Sequence, residues 1–258
     1  MRVFKFGGAS VKDATGVKNL VEVLKETGHA DTLLVLSAMG KSTNAMEAVV
    51  NAYFEDKTVL QTALQEVIKY HTKILDQHFA NQSHPVYKEV HELFEEVKGF
   101  LAWNKSPKYN FVYDQVVSYG ELVSTTIVSA YLNEVGIANT WLDIRNFIKT
   151  DSSYRDVRVD WEITQQKIKE GLKKGKLYIT QGFIGSDEHN FTTTLGREGS
   201  DYTAAILAYC LNAHSVTIWK DVPGVLNADP RYFKQAELLH QISYREAIEL
   251  AFYGASVI

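Results

Sequence analysis

Short runs of apolar, mostly β-branched residues alternate along this chain with longer stretches in which apolar residues recur at helical spacing. The run Thr32–Leu36 is apolar almost throughout, as in strands that are covered on both faces. This alternation predicts a mostly parallel sheet covered by helices. The predicted strands are Val3–Phe6, Thr32–Leu36, Ala138–Leu142, Leu177–Phe183 and Val216–Trp219.

Helical spacing is clear between the first two strands and again in the middle of the chain. Val11–Thr27 places its apolar residues on one face and ends at Gly28, which suits a C-terminal cap, so the first unit is β-α-β. Three further helices are predicted at Leu60–Phe79, Val86–Leu101 and Val112–Leu132. Together these three form a helical insert at about residues 58–133.

Composition excludes several functional classes. The 258 residues carry 27 Lys and Arg against 31 Asp and Glu, and a net charge of −4 without a basic stripe argues against a nucleic-acid partner. Cys210 is the single cysteine, which excludes an intramolecular disulfide and a cysteine metal cluster. The histidines lack metal-ligand spacing. Because no signal peptide or membrane-spanning run is present, we expect a cytoplasmic protein without a membrane partner.

Unusual residues follow several of the predicted strands. In open parallel sheets, ligands bind beyond the carboxyl ends of the strands. Lys5–Gly8 ends the first strand, Ser37–Gly40 follows the second, and Gln181-Gly182 and Lys220-Asp221 end two others. If the strands run parallel, all four segments fall on one edge of the sheet.

Two of these segments allow more than one interpretation. Gly40-Lys41-Ser42 is not a P-loop, because Val35 stands where that motif needs a glycine. The start of a helix within Ser37–Asn44 could bind an anion or could be simple capping, and the residues alone favour neither. Lys5–Ser10 offers a cation and two glycines for a phosphate, although the residues alone favour a glycine-rich turn with a surface lysine.

The densest polar run is Thr192–Asp201, which precedes an apolar helix face in Tyr202–Leu211. Glycines flank Arg197-Glu198, so the guanidinium can be displayed outside a helix, and this favours a functional role. The alternative is that Ser200 or Asp201 is only an N-cap. Near the end of the chain, Ser243–Glu246 predicts a capping box before a helix.

Seven segments, taken in order from the first residues to the last, resemble the aspartokinases of the amino acid kinase family. They are Lys5–Val11, Ser37–Asn44, Ser118–Glu121, Thr180–Gly185, Thr192–Asp201, Lys220–Arg231 and Phe252–Ala255. The resemblance implies a three-layer α/β/α sandwich with a mainly parallel central sheet, the amino acid kinase (carbamate kinase-like) fold. It also implies transfer of the ATP γ-phosphoryl group to the β-carboxylate of L-aspartate. That reaction gives 4-phospho-L-aspartate, the first step of lysine, threonine and methionine biosynthesis.

The resemblance also implies roles for individual residues. The catalytic residues would be Lys5 at the transferring phosphoryl group, Arg197, and Asp201 as the organiser of the lysine. The substrate-binding residues would be Thr43, Glu121, Arg197 and Ser200, with Glu121 on the α-ammonium and Arg197 on a carboxylate. The nucleotide-binding residues would be Lys5, Gly7, Gly8, Ser37, Lys220, Asp221, Leu226 and Arg231. ATP and Mg²⁺ are the expected cofactors, with no metal ligand assigned among the residues.

Three positions depart from the family's pattern. Glu198 stands where a second glycine is common beside the arginine, Arg155 replaces a glycine that is common after Thr150-Asp151, and Ser256 occupies a position that is often lysine. Two alternatives therefore stay open. The first is a kinase that acts on glutamate, acetylglutamate or a nucleoside monophosphate, and the second is an amino-acid sensor that binds without catalysis.

The family's kinase domain normally continues beyond the last segment and is followed by C-terminal ACT domains. We therefore expect residues 1–258 to be one amino acid kinase catalytic domain, truncated at its C-terminal end and without the ACT domains. The full-length protein is expected to be a homodimer.

Overall fold

The computed structural model describes residues 1–255, so the departure noted at Ser256 lies outside the described residues. The chain divides into two compact units, Met1–Trp219 and Lys220–Ile258.

Five parallel strands form the central sheet of the first unit. They are β1 (Arg2–Phe6), β2 (Thr32–Leu36), β3 (Thr140–Leu142), β4 (Leu177–Gln181) and β7 (Ser215–Trp219), in the order β3-β4-β2-β1-β7. All five predicted strands are confirmed, with small shifts at their ends. A separate antiparallel hairpin, β5 (Ile184–Ser186) and β6 (Thr192–Thr194), was not predicted. Its three-residue strands are too short to show a period-two pattern.

Helices flank this sheet. In chain order they are α1 (Ala14–Thr27), α2 (Ser42–Glu55), α3 (Lys57–His78), α4 (Pro85–Trp103), α5 (Tyr109–Val117), α6 (Tyr119–Glu134), α7 (Trp161–Gly171) and α8 (Gly199–Leu211). Gly28 caps α1 at φ +73°, as predicted. The single helix predicted over Val112–Leu132 is wrong, because the chain forms α5 and α6 with a break at Ser118. The Ser118 hydroxyl donates to the Gln115 carbonyl and competes there with the helix backbone.

The two faces of the sheet carry separate hydrophobic cores because side chains alternate along each strand. On one face, Phe4, Phe6, Leu34 and Leu36 pack with residues of α1 to α6. On the other face, Val3, Leu33 and Val35 pack with residues of α7 and α8. Helices on both faces make the three-layer α/β/α sandwich. The same alternation places Lys5 on the face of Val3, which α8 covers.

The second unit contains an isolated antiparallel bridge and one helix, α9 (Tyr244–Phe252). The predicted capping box is confirmed: the Glu246 backbone N–H donates to the Ser243 hydroxyl at 3.2 Å, and the Ser243 N–H donates to the Glu246 carboxylate at 2.7 Å. Over residues 1–255, no helix is long and apolar enough to cross a membrane.

Candidate active site

A cavity of about 560 Å³ lies in the first unit where β1, β2 and β4 end. Seven of the predicted site residues line it: Lys5, Gly8, Ser37, Thr43, Glu121, Arg197 and Ser200. Other lining residues include Asn44 in α2, Tyr113 in α5, Phe183 just after β4 and Arg155 in the loop before α7. The prediction that the segments after the strands meet at one edge of the sheet is therefore confirmed for Lys5–Gly8 and Ser37–Gly40.

Lys5 forms a buried ion pair with Asp201 at the first turn of α8. Its Nζ atom lies 2.7 Å from Asp201 Oδ1, and the two side chains are 7% and 10% exposed. The interpretation favoured by the residues alone, a glycine-rich turn with a surface lysine, is therefore wrong. The reason is tertiary, because α8 covers this face of β1 and supplies the carboxylate that allows the ammonium to be buried.

The loop after β1 is in direct contact with the loop after β2. Gly40 donates its backbone N–H to the carbonyl of Gly8 at 3.0 Å. A Cβ atom on Gly8 would lie 2.7 Å from the Ala38 carbonyl oxygen, so only glycine fits there. Gly7 borders the Lys5 ammonium, since a Cβ there would lie 3.7 Å from Nζ. The loop backbone at Gly8 and the Lys5 side chain therefore border the same cavity.

Two helices begin at this cavity. Thr43 and Asn44 in the first turn of α2, and Gly199 and Ser200 at the start of α8, line its wall. Because the N-terminus of a helix carries partial positive charge, both starts favour a bound anion. The alternative interpretation, in which Ser200 or Asp201 is only the N-cap of α8, is wrong.

The N-cap of α8 is Glu198, in a left-handed conformation at φ +55°. Ser200 and Asp201 are instead in the first turn, where close packing fixes them. A Cβ atom on Gly182, just after β4, would lie only 2.6 Å from the Ser200 Cβ. Arg197 sits between Glu198 and Gly196, which has φ +79°, so it lies outside the helix and lines the cavity, as the flanking glycines predicted.

Glu121 brings a buried carboxyl group to the cavity from the first turn of α6. It is 2% exposed, and its Oε2 atom has no hydrogen-bond partner among the described residues. Burial raises the pKa of Glu121 to about 8, against hydrogen bonds from the Glu121 and Ala38 backbone and the Thr43 side chain that lower it. A buried acceptor of this kind suits a cationic ligand group.

Arg155 and Asp114 are site residues whose roles were not recognised from the sequence. Arg155 lines the cavity with φ +65°, and its guanidinium carbon lies 4.2 Å from the centre of the Tyr113 ring. The departure from glycine was the one available signal. Asp114 is fully buried and accepts hydrogen bonds from the Thr194 backbone at 2.8 Å and the Arg155 backbone at 3.0 Å.

The remaining nucleotide-binding predictions fall in the second unit. They concern Lys220, Asp221, Leu226 and Arg231. Arg231 is paired there with Asp229, at 2.6 Å between Nη2 and Oδ2, and Leu226 bridges to Leu238. Their contact with a nucleotide stays a prediction.

Comparison with known proteins agrees with this geometry. The model of the amino acid kinase family matches residues 1–258. The chain belongs to this family. One relative is lysine-sensitive aspartokinase 3 of Escherichia coli K12. It is 33% identical to this chain over 268 residues, which cover 99% of this chain and 57% of the relative.

Solved structures give the same result for the fold. Two structures of E. coli aspartokinase III, one in complex with lysine and aspartate and one with aspartate and ADP, each match at a TM-score of 0.90 and 32% identity. Each match covers 100% of this chain and 57% of the solved one. The chain therefore spans somewhat more than half the length of these relatives.

Proposed function

We propose that this chain is the kinase part of an aspartate kinase, which transfers the γ-phosphoryl group of ATP to the β-carboxylate of L-aspartate. One observation carries the proposal: a single cavity is lined by Arg197, by the buried side chains of Lys5 and Glu121, and by two helix N-termini. The relatives' structures with aspartate and with ADP support this choice of acceptor and nucleotide.

The acceptor needs no general base. A carboxylate has an ordinary pKa of about 3.9 and is already ionised at neutral pH. The obstacle is repulsion between the carboxylate and the phosphate groups, so catalysis depends on position and on compensating charge. Lys5 supplies that charge, and the Asp201 carboxylate at 2.7 Å fixes the ammonium in place. The starts of α2 and α8 add partial positive charge on the same side.

The cavity is complementary to an amino acid with two carboxylates. In our proposal, the Glu121 carboxyl group binds the α-ammonium group, and the Arg197 guanidinium donates two parallel hydrogen bonds to one carboxylate. The other carboxylate then faces Lys5. Thr43 and Ser200 provide hydroxyl groups at the two helix starts. The ammonium group and the two carboxylates of L-aspartate are thereby held in fixed positions, as in-line phosphoryl transfer requires.

The residues do not fit a magnesium ion held by the protein alone. In the described part of the chain, no group of three or more His, Cys, Asp or Glu side chains is arranged to hold a metal. We propose that Mg²⁺ enters with ATP, held mainly by phosphate oxygens and water, as is usual in kinases. A single catalytic domain over residues 1–258, a homodimer for the longer protein and a cytoplasmic location stay predictions.

The test is an acceptor assay. The protein is incubated with ATP, Mg²⁺, L-aspartate and hydroxylamine, and we expect aspartyl hydroxamate that requires both ATP and aspartate. ADP release with glutamate, acetylglutamate and nucleoside monophosphates is measured in parallel, and faster turnover of any of these would replace aspartate as the acceptor. Aspartate binding by calorimetry without any turnover would indicate a sensor. Arg197→Ala should lose turnover, and Arg158→Ala, in an exposed loop away from the cavity, is the control.

A further inference from the structure

Arg155 occupies a backbone conformation that disfavours arginine. Both Tyr154 and Arg155 have positive φ angles, +56° and +65°, in the region that glycine adopts without strain. Residues with a side chain are held there at a free-energy cost, and such strain concentrates at functional sites. The strained conformation of Arg155 therefore points to a functional role for its side chain.

The backbone of Arg155 is held firmly beside Arg197. Its N–H donates to both carboxylate oxygens of the buried Asp114, at 3.0 and 3.2 Å. Asp114 also accepts from the backbone and hydroxyl of Thr194, three residues before Arg197, at 2.8 and 2.7 Å. A Cβ atom on Gly196 would lie 3.4 Å from the Arg155 carbonyl oxygen. One buried carboxylate thus fixes the two arginine-bearing segments against each other.

The guanidinium of Arg155 is oriented by weak contacts that a ligand can replace. It lies over the Tyr113 ring, with 4.2 Å between its central carbon and the ring centre. Its ion pair is with Glu47 of α2, at 3.4 Å between Nη2 and Oε1, and the two side chains are 41% and 36% exposed. Exposed pairs of this length contribute little free energy. The pair contrasts with that of Lys5, which is shorter and buried.

We propose that Arg155 is a specificity-determining residue that binds the non-reacting carboxylate of the amino acid acceptor together with Arg197. The acceptor carboxylate would take the place of Glu47 on the guanidinium, while the Tyr113 ring keeps the guanidinium plane in position. This inference rests on the proposed function, because it assumes that the reacting carboxylate faces Lys5 and that Glu121 takes the ammonium. Arg155 would thus supply, beside Arg197, a second guanidinium that binds an acceptor with two carboxylates.

A purely structural role for Arg155 makes different predictions. If the side chain only joins α2 to α5 through Glu47 and Tyr113, its removal should lower the melting temperature and leave the KM for aspartate unchanged. Under our proposal, Arg155→Gly keeps the N–H that Asp114 accepts and relieves the strained φ. The variant should therefore fold and lose acceptor affinity. Glycine is thus the substitution that separates the two roles.

The experiment compares steady-state kinetics of the wild type, Arg155→Gly, Arg155→Lys and Glu47→Gln. We expect Arg155→Gly to raise the KM for aspartate about tenfold, equivalent to about 1.4 kcal/mol. The kcat and the KM for ATP should stay within about twofold of the wild type, because only acceptor binding is affected. Arg155→Lys should be intermediate, since an ammonium cannot fork a carboxylate.

Glu47→Gln should change the KM for aspartate in the opposite direction, lowering it about twofold, because a competing carboxylate is removed. Arg158→Ala is the matched control from the same loop, since Arg158 is exposed and lies away from the cavity. Its KM for aspartate should equal that of the wild type. A purely structural role for Arg155 would not shift the KM for aspartate in opposite directions in Arg155→Gly and Glu47→Gln.

The outcomes separate this inference from the proposed function. If the wild type turns over aspartate and Arg155→Gly leaves its KM unchanged, the inference is overturned and the kinase assignment stands. If the wild type shows no turnover, calorimetry with L-aspartate decides: weaker binding by Arg155→Gly supports the inference and overturns the kinase function. Equal binding by the two proteins, or no aspartate binding by the wild type, overturns the inference as well.

Discussion

Replacing Glu121 with glutamine separates two effects of this carboxyl group, namely the loss of folding stability caused by burying its charged form and its contribution to aspartate binding. The side chain is 2% exposed, and burial raises its pKa from 4.5 to about 8. Between these two values the folded state keeps a proton that the unfolded state has released. Stability therefore falls as the pH rises through this window. Glutamine is close to glutamate in shape and carries no charge, so the Glu121→Gln variant should lack this fall in stability.

The size of the effect follows from the two pKa values. Each full pH unit within the window contributes about 1.4 kcal/mol, and less near either pKa, so the Glu121→Gln variant gains about 3–4 kcal/mol relative to the wild type between pH 5 and pH 8. For a chain of this size, the difference in melting temperature between the variant and the wild type should therefore grow by roughly 6–16 °C from pH 5 to pH 8. At low pH, where Glu121 is neutral in both states, the pH-dependent gain disappears.

The assay is urea denaturation of both proteins at pH 5, 6, 7 and 8. The quantity of interest is the difference in the free energy of unfolding, because other titrating groups then cancel. Glu26→Gln is the control, since Glu26 is exposed near the end of α1 and also loses a carboxylate. The difference from the wild type should rise with pH more steeply for Glu121→Gln than for this control.

Binding provides a second, independent measurement. At pH 7 a group with a pKa of about 8 is mostly protonated, so the arrival of the aspartate ammonium should expel close to one proton from Glu121. Calorimetry of aspartate binding in buffers with different ionisation enthalpies measures that release. A stability difference that stays constant from pH 5 to pH 8, or wild-type binding without proton release, would refute this reasoning about Glu121.

Two further predictions concern the packing of the site. Lys5→Ala takes the ammonium away from the buried Asp201 carboxylate and should cost about 3 kcal/mol or more of unfolding free energy and at least about a hundredfold in kcat. The Lys5→Ala/Asp201→Ala protein should be more stable in urea than the sum of the two single changes predicts, and strict additivity would contradict the coupling. Gly182→Ala places a Cβ atom 2.6 Å from that of Ser200 and should lower stability by about 1–3 kcal/mol. Gly99→Ala in α4 meets nothing within 4 Å and should raise stability by about 0.5–1 kcal/mol, so melting temperatures that shift alike would count against the packing argument.

Local patterns were sufficient for much of the fold. The five sheet strands, the cap of α1 at Gly28 and the capping box at Ser243 were predicted, because periodicity and capping depend on residues close together in the chain. The same methods missed the break at Ser118 and the hairpin of β5 and β6. Those features depend on one hydroxyl contact and on strands too short to show a pattern.

The candidate site divides in a similar way. The glycines that flank Arg197 are visible in the sequence and predicted an arginine displayed outside a helix, whereas Glu121, within α6, was predicted only through the family resemblance. The environment of Lys5 was not visible, because its partner Asp201 is far away in the chain and the residues alone favoured a surface lysine. Burial by α8 decides that this cation is paired and fixed, and burial is a property of the packed layers.

The sequence by itself determined which residue types reach the edge of the sheet, because strand direction and side-chain alternation are set locally. Only the tertiary structure decided which of them meet. Asp114 joins Thr194, 80 residues later, to Arg155, 41 residues later, and so aligns two arginines around one cavity. No local pattern specifies such a contact, because it exists only when α5, β6 and the loop carrying Arg155 pack together and exclude water from the carboxylate.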